Sequence, residues 1–356
     1  MPLGHVHTDP GPASDRPSYE SPGLSAPLAP VPHHVLVCLD RSALAESVLP
    51  HAVALAHGCG AHLTLLHILE PRHGADAPTD PFDWEVRRAE ASEYLGRIAA
   101  RYSSPQLPIE VELGQGHAAE QIRTWADNHH VDFTVLCSHG EGGFTQWSLA
   151  STAHKLTGGA AGSLLFVPAS AAPPSPKREV RYARILVPLD GSTRAESVVP
   201  LAVQLAKTHR SELILAHVVP VPELTYIGPP AAEDLDLGQR LVRRNERVAR
   251  RYLEHLQARL EASGLRVRTV LARDGDVRGE LAGIIEREGA GLVVLSAHGS
   301  TGRTDWPFGR VAAHLLAHAT TPLLIVREPA RGSPRQRAAA AGRHPVAARA
   351  PALALP

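Results

Sequence analysis

The sequence has little of several residue types, and each shortage excludes a class of protein. Only three cysteines occur among 356 residues (Cys38, Cys59 and Cys137), and no two of them form a CxxC pair. This excludes a disulfide framework and a cysteine-based zinc or thioredoxin-like site, and it favours a reducing, cytoplasmic compartment. No run of 18 apolar residues is present, so the sequence predicts no membrane-spanning helix.

Net charge, aromatic residues and lysine are also scarce. The 36 basic and 36 acidic residues cancel, which argues against a specific nucleic-acid binder, because such proteins carry a basic excess. Aromatic residues make up 4% and hydrophobic residues 44%, so the predicted cores are aliphatic. The three lysines (Lys155, Lys177 and Lys207) lie outside every glycine-rich loop, and no GxSxG elbow occurs. We therefore predict no enzyme, with any ATP hydrolysis slow and incidental.

Proline, at 31 residues, is in excess, and its position marks the domain boundaries. It is densest in a leader (1–32), a linker (170–181) and a tail rich in Ala, Arg and Pro (329–356). We predict that the leader and the tail are disordered, because they contain too few apolar residues to form a core. The leader has no basic region followed by an apolar core, so it does not match a secretory signal. Two domains, 33–169 and 182–328, remain.

The two domains are copies of one another. The segment His34–Ala56, HVLVCLDRSALAESVLPHAVALA, matches Arg184–Ala206, RILVPLDGSTRAESVVPLAVQLA, at a constant offset of 150 residues. Further along, VLCSHG at Val135–Gly140 matches VLSAHG at Val294–Gly299 at an offset of 159. The second copy therefore carries nine extra residues after its second strand. One domain is thus duplicated in the chain.

Within each copy, short aliphatic runs alternate with helical patterns. Runs such as ILVPL, LILAHVV and LVVLSA are unbroken, as expected of strands that are buried on both faces. Between them apolar residues recur every three or four positions, and Thr193 with Glu196 fits a capping box at the first helix of the second copy. This alternation predicts an α/β fold with a parallel sheet and right-handed crossovers.

Three motifs resemble those of the universal stress protein family. They are the strand ending LDGS (189–192), the strand ending HVV (217–219), and SxHG (296–299) followed ten residues later by glycine. The resemblance covers 34–168 and 182–328. It implies two Rossmann-like sandwiches, each a five-stranded parallel sheet of order 3-2-1-4-5 with helices on both faces. It also implies that the last strands pair in an intramolecular pseudo-dimer, and it leaves a homodimer and an unknown protein partner open.

ATP-binding members of the family carry G-x-x-G-x9-G-[ST], which the resemblance places where strands 1 and 4 diverge, the usual ligand crevice of such sheets. In the second copy Ser296, Gly299, Gly309 and Arg310 occupy the four motif positions, so the first glycine and the hydroxyl are replaced. A guanidinium at Arg310 could bind phosphate bidentately. The resemblance implies an adenine nucleotide, ATP, held by Leu189, Asp190, Val218, Ser296, His298, Gly299, Gly302, Gly309 and Arg310.

Their implied roles differ along the cleft. Asp190 and Leu189 would contact the adenosine, and Val218 would flank the base. The phosphates would lie on Gly299, Gly309 and the backbone of Arg310. His298 is a further candidate ligand.

The first copy is the weaker nucleotide candidate. Cys137 and Ala150 replace the first and third glycines of the motif there, and Asp40, Gly140 and Ser151 are the candidate contacts that remain. Alanine at 150 would add a Cβ where a phosphate approaches and would resist a positive φ. Two other interpretations stay open. One is a stress protein that binds another protein because both clefts are degenerate, and the weaker one is an adenylate-transfer enzyme.

Histidine and cysteine suggest further, smaller hypotheses. The 21 histidines contain no ligand set at structural-zinc spacing, so we predict no metal site. His67, His217, His139 and His298 recur between the copies at strand ends and are predicted to orient loops by hydrogen bonding. Cys38 and Cys137 lie near the ends of strands predicted to be neighbours. They are interpreted either as a redox-sensitive pair within disulfide range or as two buried thiols, with the second favoured.

Overall fold

The computed structural model describes residues 33–70, 81–137, 162–171, 179–222, 232–299 and 308–327. The first copy contains β1 (His34–Cys38), α1 (Ala43–Glu46), α2 (Leu49–Cys59), β2 (His62–Leu69), α3 (Pro81–Tyr102), β3 (Ile109–Gln115), α4 (Ala118–Asn128), β4 (Phe133–Cys137) and β5 (Ser163–Val167). The second contains β6 (Arg184–Pro188), α5 (Thr193–Glu196), α6 (Val199–His209), β7 (Glu212–Pro220), α7 (Ala232–Glu261), β8 (Arg266–Asp274), α8 (Val277–Arg287), β9 (Leu292–Ser296), α9 (Arg310–Ala317) and β10 (Leu323–Val326). The predicted leader and tail, and residues 172–178 of the predicted linker, lie outside the described residues.

The strands form one ten-stranded sheet in the order β3-β2-β1-β4-β5-β10-β9-β6-β7-β8. Each copy contributes five parallel strands in the order 3-2-1-4-5, so the predicted α/β fold class is confirmed. The copies meet where β5 pairs antiparallel with β10, and there Leu165 lies opposite Leu324. This pairing covers one edge of each five-stranded sheet, and exposed edges otherwise attract other strands.

Two apolar layers cover the faces of the sheet. The first contains Val37 and Val187, and the second contains Leu36 and Leu186, all fully buried. Neighbouring residues lie in opposite layers because side chains alternate along a strand, and burial on both faces explains the unbroken aliphatic runs. No helix in the described part of the chain combines the length and the apolar character needed to cross a bilayer.

Helices α2 and α6 join the copies on the first-layer side. Gly58 of α2 lies so close to Leu205 of α6 that a Cβ at position 58 would collide with that side chain. The Gln204 side chain donates to the Gly58 carbonyl oxygen at 3.1 Å. His51 of α2 bonds to the Tyr182 hydroxyl across the same interface, at 3.0 Å. The two copies are thus held by helix packing and side-chain bonds as well as by the strand pair.

The predicted capping box at Thr193 is wrong. The helix cap is Ser192, whose Oγ accepts from the backbone N–H of Ala195 at 3.1 Å, and Thr193 is the first helical residue. Ser42 caps α1 in the same way, accepting from Ala45 N–H at 3.0 Å. The cap therefore lies one residue earlier than the Thr/Glu spacing suggested, and both copies use it.

Most of the extra length of the second copy lies in α7. This helix has 30 residues, whereas α3, at the same place in the first copy, has 22. Ile109 and Val267 hold the same register, opposite Leu63 and Leu213, so most of the insertion precedes β8. The buried residues of α7 all fall in its second half, from Ala249 onward.

The redox-pair interpretation of Cys38 and Cys137 is wrong. The β1–β4 register places Val37 opposite Val135, so Cys38 follows opposite Leu136 and Cys137 lies one residue further along. Cys38 packs against the second apolar layer and Cys137 against the first, so the thiols lie on opposite faces of the sheet. Burial also raises the pKa of the Cys38 thiol to about 12, as expected of an inert buried cysteine.

Candidate functional site

The candidate cleft of the second copy lies at the carboxyl ends of β6 and β9. These strands are parallel neighbours, with Ile185 opposite Leu292. β6 is followed in sequence by β7 on its other side, whereas β9 is followed by β10 on the side away from β6. The two connections thus leave in opposite directions, and such a switch point opens a crevice for ligands.

Asp190 follows β6, and the half-buried His217 fixes the backbone of the residue before it. Leu189 N–H donates to the Ala216 carbonyl at 2.8 Å, and the Leu189 carbonyl accepts from Nδ1 of His217 at 2.7 Å. Burial lowers the pKa of His217, while its bond to the Leu189 carbonyl acts in the opposite direction. His67 makes the same 2.7 Å bond to Leu39 in the first copy, so the predicted loop-orienting role of both histidines is confirmed.

The Asp190 carboxylate is oriented by the turn that follows it. Its Oδ1 accepts from the backbone N–H of Ser192 at 3.0 Å and from the Ser192 hydroxyl at 2.6 Å. Gly191 between them has φ +78°, which glycine adopts without strain. The prediction missed Ser192, although its recurrence at the same offset as Ser42 was the available signal.

Gly299 closes the opposite side of the crevice. A Cβ at this position would collide with Oδ2 of Asp190, so any side chain there would displace the carboxylate. The ends of β6 and β9 are therefore brought together as the motif predicts. Leu189 is only 4% exposed and packs in the first layer. Its contact with adenosine stays a prediction, as does that of Val218, a second-layer residue that is 6% exposed.

The chain returns to the end of β9 at Gly309. Its N–H donates to the Ala297 carbonyl at 2.7 Å, while the Ser296 hydroxyl donates to the His298 carbonyl at 2.8 Å. Serine in place of the first motif glycine thus fixes the turn. Gly309 has φ −65°, and a Cβ there would meet Ala297 O at an ordinary 3.4 Å. The positive-φ argument made for alanine at Ala150 therefore does not hold at the equivalent position of the second copy, which leaves only the argument from phosphate approach.

Helix α9 begins directly at this crevice. Gly309 is its N-cap and supplies no side-chain bond, so the first backbone N–H groups lack a side-chain cap. Helix N-termini attract anions through such N–H groups and the helix dipole. Arg310, the first helical residue, is exposed and adds a positive charge. The predicted contacts Gly302, Gly140 and Ser151 lie outside the described residues.

The first copy differs at the corresponding lip. Asp40 Oδ1 accepts from Ser42 N–H at 2.9 Å, as in the second copy. However, Arg41 replaces the glycine of the turn, adopts φ +71°, and pairs with Glu90 of α3 at 3.4 Å. A charged, bulky side chain thus stands where the second copy has open space around Gly191.

Metal binding finds no support in the geometry of the described residues. Across the ranges from 33 to 327 that the structure describes, no group of three or more His, Cys, Asp or Glu side chains could hold an ion. From the His33–His34 and His129–His130 pairs, the rings of His34 and His129 instead make hydrogen bonds and ring stacks. The site therefore offers hydrogen bonds, backbone dipoles and arginine charge as its chemistry.

A family comparison assigns the chain. The model of the Universal stress protein family matches residues 32–168 and 181–327. The chain belongs to the universal stress protein family. A universal stress protein of Mycolicibacterium smegmatis is 25% identical over 303 residues, covering 82% of this chain and 96% of that protein. One from Methanocaldococcus jannaschii is 27% identical over 148 residues, covering 42% and 84%.

Solved structures of the family share the fold. A universal stress protein from Archaeoglobus fulgidus has a TM-score of 0.58 with 15% identity, covering 84% of this chain and 97% of that chain. At this identity the likeness shows the fold alone. The likeness extends over most of both chains, although the residues differ at most aligned positions.

Proposed function

We propose that this universal stress protein binds an adenine nucleotide, with ATP as the first candidate, in the cleft of its second copy. The role is regulatory and cytoplasmic rather than catalytic, and nucleotide occupancy would be the signal that the protein reports. The observation that carries the proposal is the close approach of the Asp190 carboxylate to Gly299 across the switch point, which leaves no room for a side chain at position 299. The start of α9 reaches the same strand end, because the Gly309 N–H bonds to the Ala297 carbonyl.

The two ends of the crevice suit the two ends of a nucleotide. Asp190 is a fixed carboxylate and can accept hydrogen bonds from ribose hydroxyls, because Ser192 fixes its orientation. The start of α9 with Gly309 and Arg310 suits phosphate, through backbone N–H groups and a bidentate guanidinium. The absence of a side chain at Gly299 keeps the path between them open.

The first copy is proposed not to bind nucleotide. Arg41 and its partner Glu90 stand beside Asp40 and fill the side of the turn that Gly191 leaves open. A first copy without nucleotide is also expected by the alternative function, a protein-interaction role in which both clefts are degenerate. The two functions therefore differ in the second copy, where only the nucleotide proposal expects binding.

The proposal is tested by nucleotide release and titration on the intact chain. Protein purified without added nucleotide is heated, and the supernatant is examined for adenine absorbance. ATP is then titrated by calorimetry into the wild type, Asp190→Ala and Asp40→Ala. Asp190→Ala should weaken binding by about tenfold to hundredfold, because a hydrogen bond to a charged group contributes about 1.5–3 kcal/mol.

Asp40→Ala is the matched control and should leave the affinity unchanged. The same titration with cAMP, which another universal stress protein binds in its crystal structure, separates a preference for the triphosphate from adenosine recognition alone. No binding at millimolar ATP would overturn the proposal in favour of the protein-interaction role. Steady turnover on the seconds scale would instead favour an adenylate-transfer enzyme.

A further inference from the structure

Helix α7 carries a dense row of arginines on its solvent side. The row contains six arginines within twelve residues, and all six are exposed: Arg240, Arg243, Arg244, Arg247, Arg250 and Arg251. At about 3.6 residues per turn these side chains fall within about 120° of one another around the helix. They lie on the side opposite the buried Ala249 and Leu253. The arginine row therefore points away from the sheet.

Most charges of the arginine row are not neutralised by the protein. Arg240 pairs with Asp236 and Arg250 pairs with Glu246, each at 3.0 Å. Within the described part of the chain the other four form no ion pair: Arg243, Arg244, Arg247 and Arg251. The row is therefore a concentrated positive surface that is available to an anionic partner.

The fold itself does not require this row. Ala249 and Leu253 correspond to the buried Ala91 and Leu95 of α3 in the first copy, at an offset of 158. At that offset none of the six positions is basic in α3, where the residues are Phe82, Glu85, Val86, Ala89, Ser92 and Glu93. Like charges four residues apart destabilise a helix, and the row contains three such pairs. Neither packing nor helix stability explains it.

The row begins beyond the carboxyl end of β8. The Gln257 side chain donates to the Val267 carbonyl at 3.1 Å near the start of the strand, and Glu246 pairs with Arg273 near its end at 3.6 Å. Helix α7 therefore runs antiparallel to β8, and the part that precedes Glu246 lies past the strand end. A straight line of positive charge thus extends from the side of the sheet to beyond its carboxyl edge.

The charge density of the row matches that of a nucleic-acid strand. With a rise of about 1.5 Å per residue, the six guanidinium groups occupy about 17 Å of helix. One strand of duplex DNA carries a phosphate about every 3.4 Å, so about five phosphates span the same length. A guanidinium binds phosphate bidentately, and such contacts carry no base information. The neutral net charge of the chain conceals the row, because residues 33–169 contain fifteen acidic and only eight basic residues.

We propose that the arginine row of α7 binds the phosphate backbone of duplex DNA without regard to its sequence. An acidic protein would need about five carboxylates held in a line against their own repulsion. A helix that binds a bilayer buries its apolar side in the lipid, whereas the apolar side of α7 packs on the sheet through Leu253 and Leu256. Leu237 and Val248 are exposed beside the row, so anionic lipid is the alternative that the experiment has to separate.

Fluorescence anisotropy of the full chain with a labelled duplex of about 24 base pairs tests the proposal at about 50 to 200 mM salt. Each neutralised phosphate contributes about −0.9 to the slope of log association constant against log salt, so four unpaired arginines predict a slope of about −3.5. A second duplex of unrelated sequence should bind with the same constant, because phosphate contacts do not distinguish bases.

A double variant locates the contact on the row. Arg243→Glu/Arg251→Glu introduces the residues that the first copy has at these positions. Both glutamates would lie four residues from Arg247, so the helix should be at least as stable as in the wild type, which urea unfolding checks. Affinity for the duplex should fall about tenfold or more, and the salt slope should weaken by about two. The matched control Arg88→Glu/Arg123→Glu changes two exposed arginines of α3 and α4 and should bind like the wild type.

Vesicles with and without phosphatidylglycerol, and polyglutamate, serve as competing probes. A wild type that binds no duplex at 50 mM salt overturns the proposal. Tighter binding to the anionic vesicles or to polyglutamate also overturns it, in favour of a membrane or an acidic protein. So does an Arg243→Glu/Arg251→Glu variant that binds the duplex like the wild type, which would place DNA binding outside the row. None of these outcomes depends on ATP, so the nucleotide proposal is decided separately.

Discussion

The amino ends of the two sheets have the same backbone geometry and different chemistry. In the second copy four charged residues form a network, in which Arg184 and Arg268 both contact Glu212, at 3.5 and 3.4 Å, and Arg268 also pairs with Glu288. In the first copy His34 stands in place of Arg184, and His62 in place of Glu212. Glu110 and His129 stand in place of Arg268 and Glu288. There the rings of His34 and His62 stack at 4.0 Å.

The difference shows that the two copies of one fold can use groups that respond differently to pH. Arginine and glutamate stay charged through the physiological range, so the network of the second copy keeps its ion pairs. His34 instead donates from Nδ1 to the His129 carbonyl at 3.2 Å, and its Nε2 lies 2.9 Å from the Thr64 hydroxyl oxygen. Burial lowers the pKa of this ring and so favours its neutral form, in which Nε2 accepts from the hydroxyl.

The largest expected effect falls where the copies are alike. Leu165 and Leu324 are buried, equivalent in the repeat and directly opposite in the β5–β10 pair. Leu324→Ala should lower the free energy of unfolding by about 2–5 kcal/mol, since it removes a core side chain without letting the sheet close the space. Leu165→Ala should cost a similar amount. Urea unfolding of both single variants and the double variant measures the costs.

The double variant distinguishes a shared contact from two separate ones. Because the two side chains meet, the second substitution should cost less than it does alone. Free-energy costs that add fully would show that the two side chains are not coupled. They would contradict the expectation that the copies pack against each other at this pair.

A second prediction concerns acid. Burial lowers the pKa of His34, with the charge of His62 acting in the same direction and those of Asp132 and Glu110 opposing it. The unfolded chain therefore takes up a proton near pH 6.5 that the folded chain resists. Stability should be greatest above that pH and fall as the pH is lowered towards 5. Urea midpoints at pH 8, 7, 6 and 5 measure the slope.

A matched pair of variants assigns this slope to the ring. His34→Gln should reduce stability at pH 8 and flatten the slope, because the titrating group is gone. Thr64→Val removes the hydroxyl bonded to the same ring and keeps the histidine, so it should reduce stability with the slope retained. Equal slopes in the wild type and His34→Gln would assign the acid sensitivity to His51, His209 and His217, whose pKa values burial also lowers.

Much of the fold could be predicted because the repeat and the family motifs constrain it strongly. Unbroken aliphatic runs indicated buried strands, and the resemblance implied their order. The exact register could not be predicted, since a shift of one residue leaves the hydrophobic pattern unchanged but moves each side chain to the other face. That is why the sequence left a Cys38–Cys137 pair open as the less favoured interpretation, although the two thiols lie on opposite faces.

The motif residues of the candidate site could be predicted from the sequence. The residues that orient them, and their distances from one another, could not. Asp190 and Gly299 follow from the motif, whereas their mutual contact depends on the β6–β9 pairing. Ser192 was missed because Thr193 with Glu196 offered an equally good capping pattern one residue later. The length of α7 was visible only as an offset, because the sequence does not mark where a helix extends beyond its sheet.

The backbone φ angles of residues in the left-handed region can be compared position by position between the copies. Three described residues other than glycine have positive φ, and each has glycine at the equivalent place in the other copy. The pairs are Arg41 (+71°) with Gly191 (+78°), Arg210 (+56°) with Gly60 (+65°), and His130 (+52°) with Gly289 (+57°). The fold therefore requires this conformation at each position, whichever residue occupies it.

Arg210 is the position where we expect the smallest change in the free energy of unfolding. It ends α6 as Gly60 ends α2, and the backbone bonds match, since Arg210 N–H donates to Lys207 O and Gly60 N–H donates to His57 O, both at 3.4 Å. Arg210→Gly should stabilise the protein by about 0.5–1 kcal/mol, because relief of left-handed strain exceeds the extra entropy of glycine in the unfolded chain. Urea unfolding at pH 8 measures the change.

Two controls separate backbone strain from loss of a side chain. Gly60→Ala should destabilise by about 1 kcal/mol for the opposite reason, and no atom lies within 4 Å of the added Cβ, so no clash contributes. Arg123→Gly, at an exposed position inside α4, should destabilise by about 0.5–1 kcal/mol because helical φ gives glycine no advantage. If Arg210→Gly destabilised as Arg123→Gly does, the arginine side chain would matter more than its backbone, and the equivalence of the two helix ends would fail.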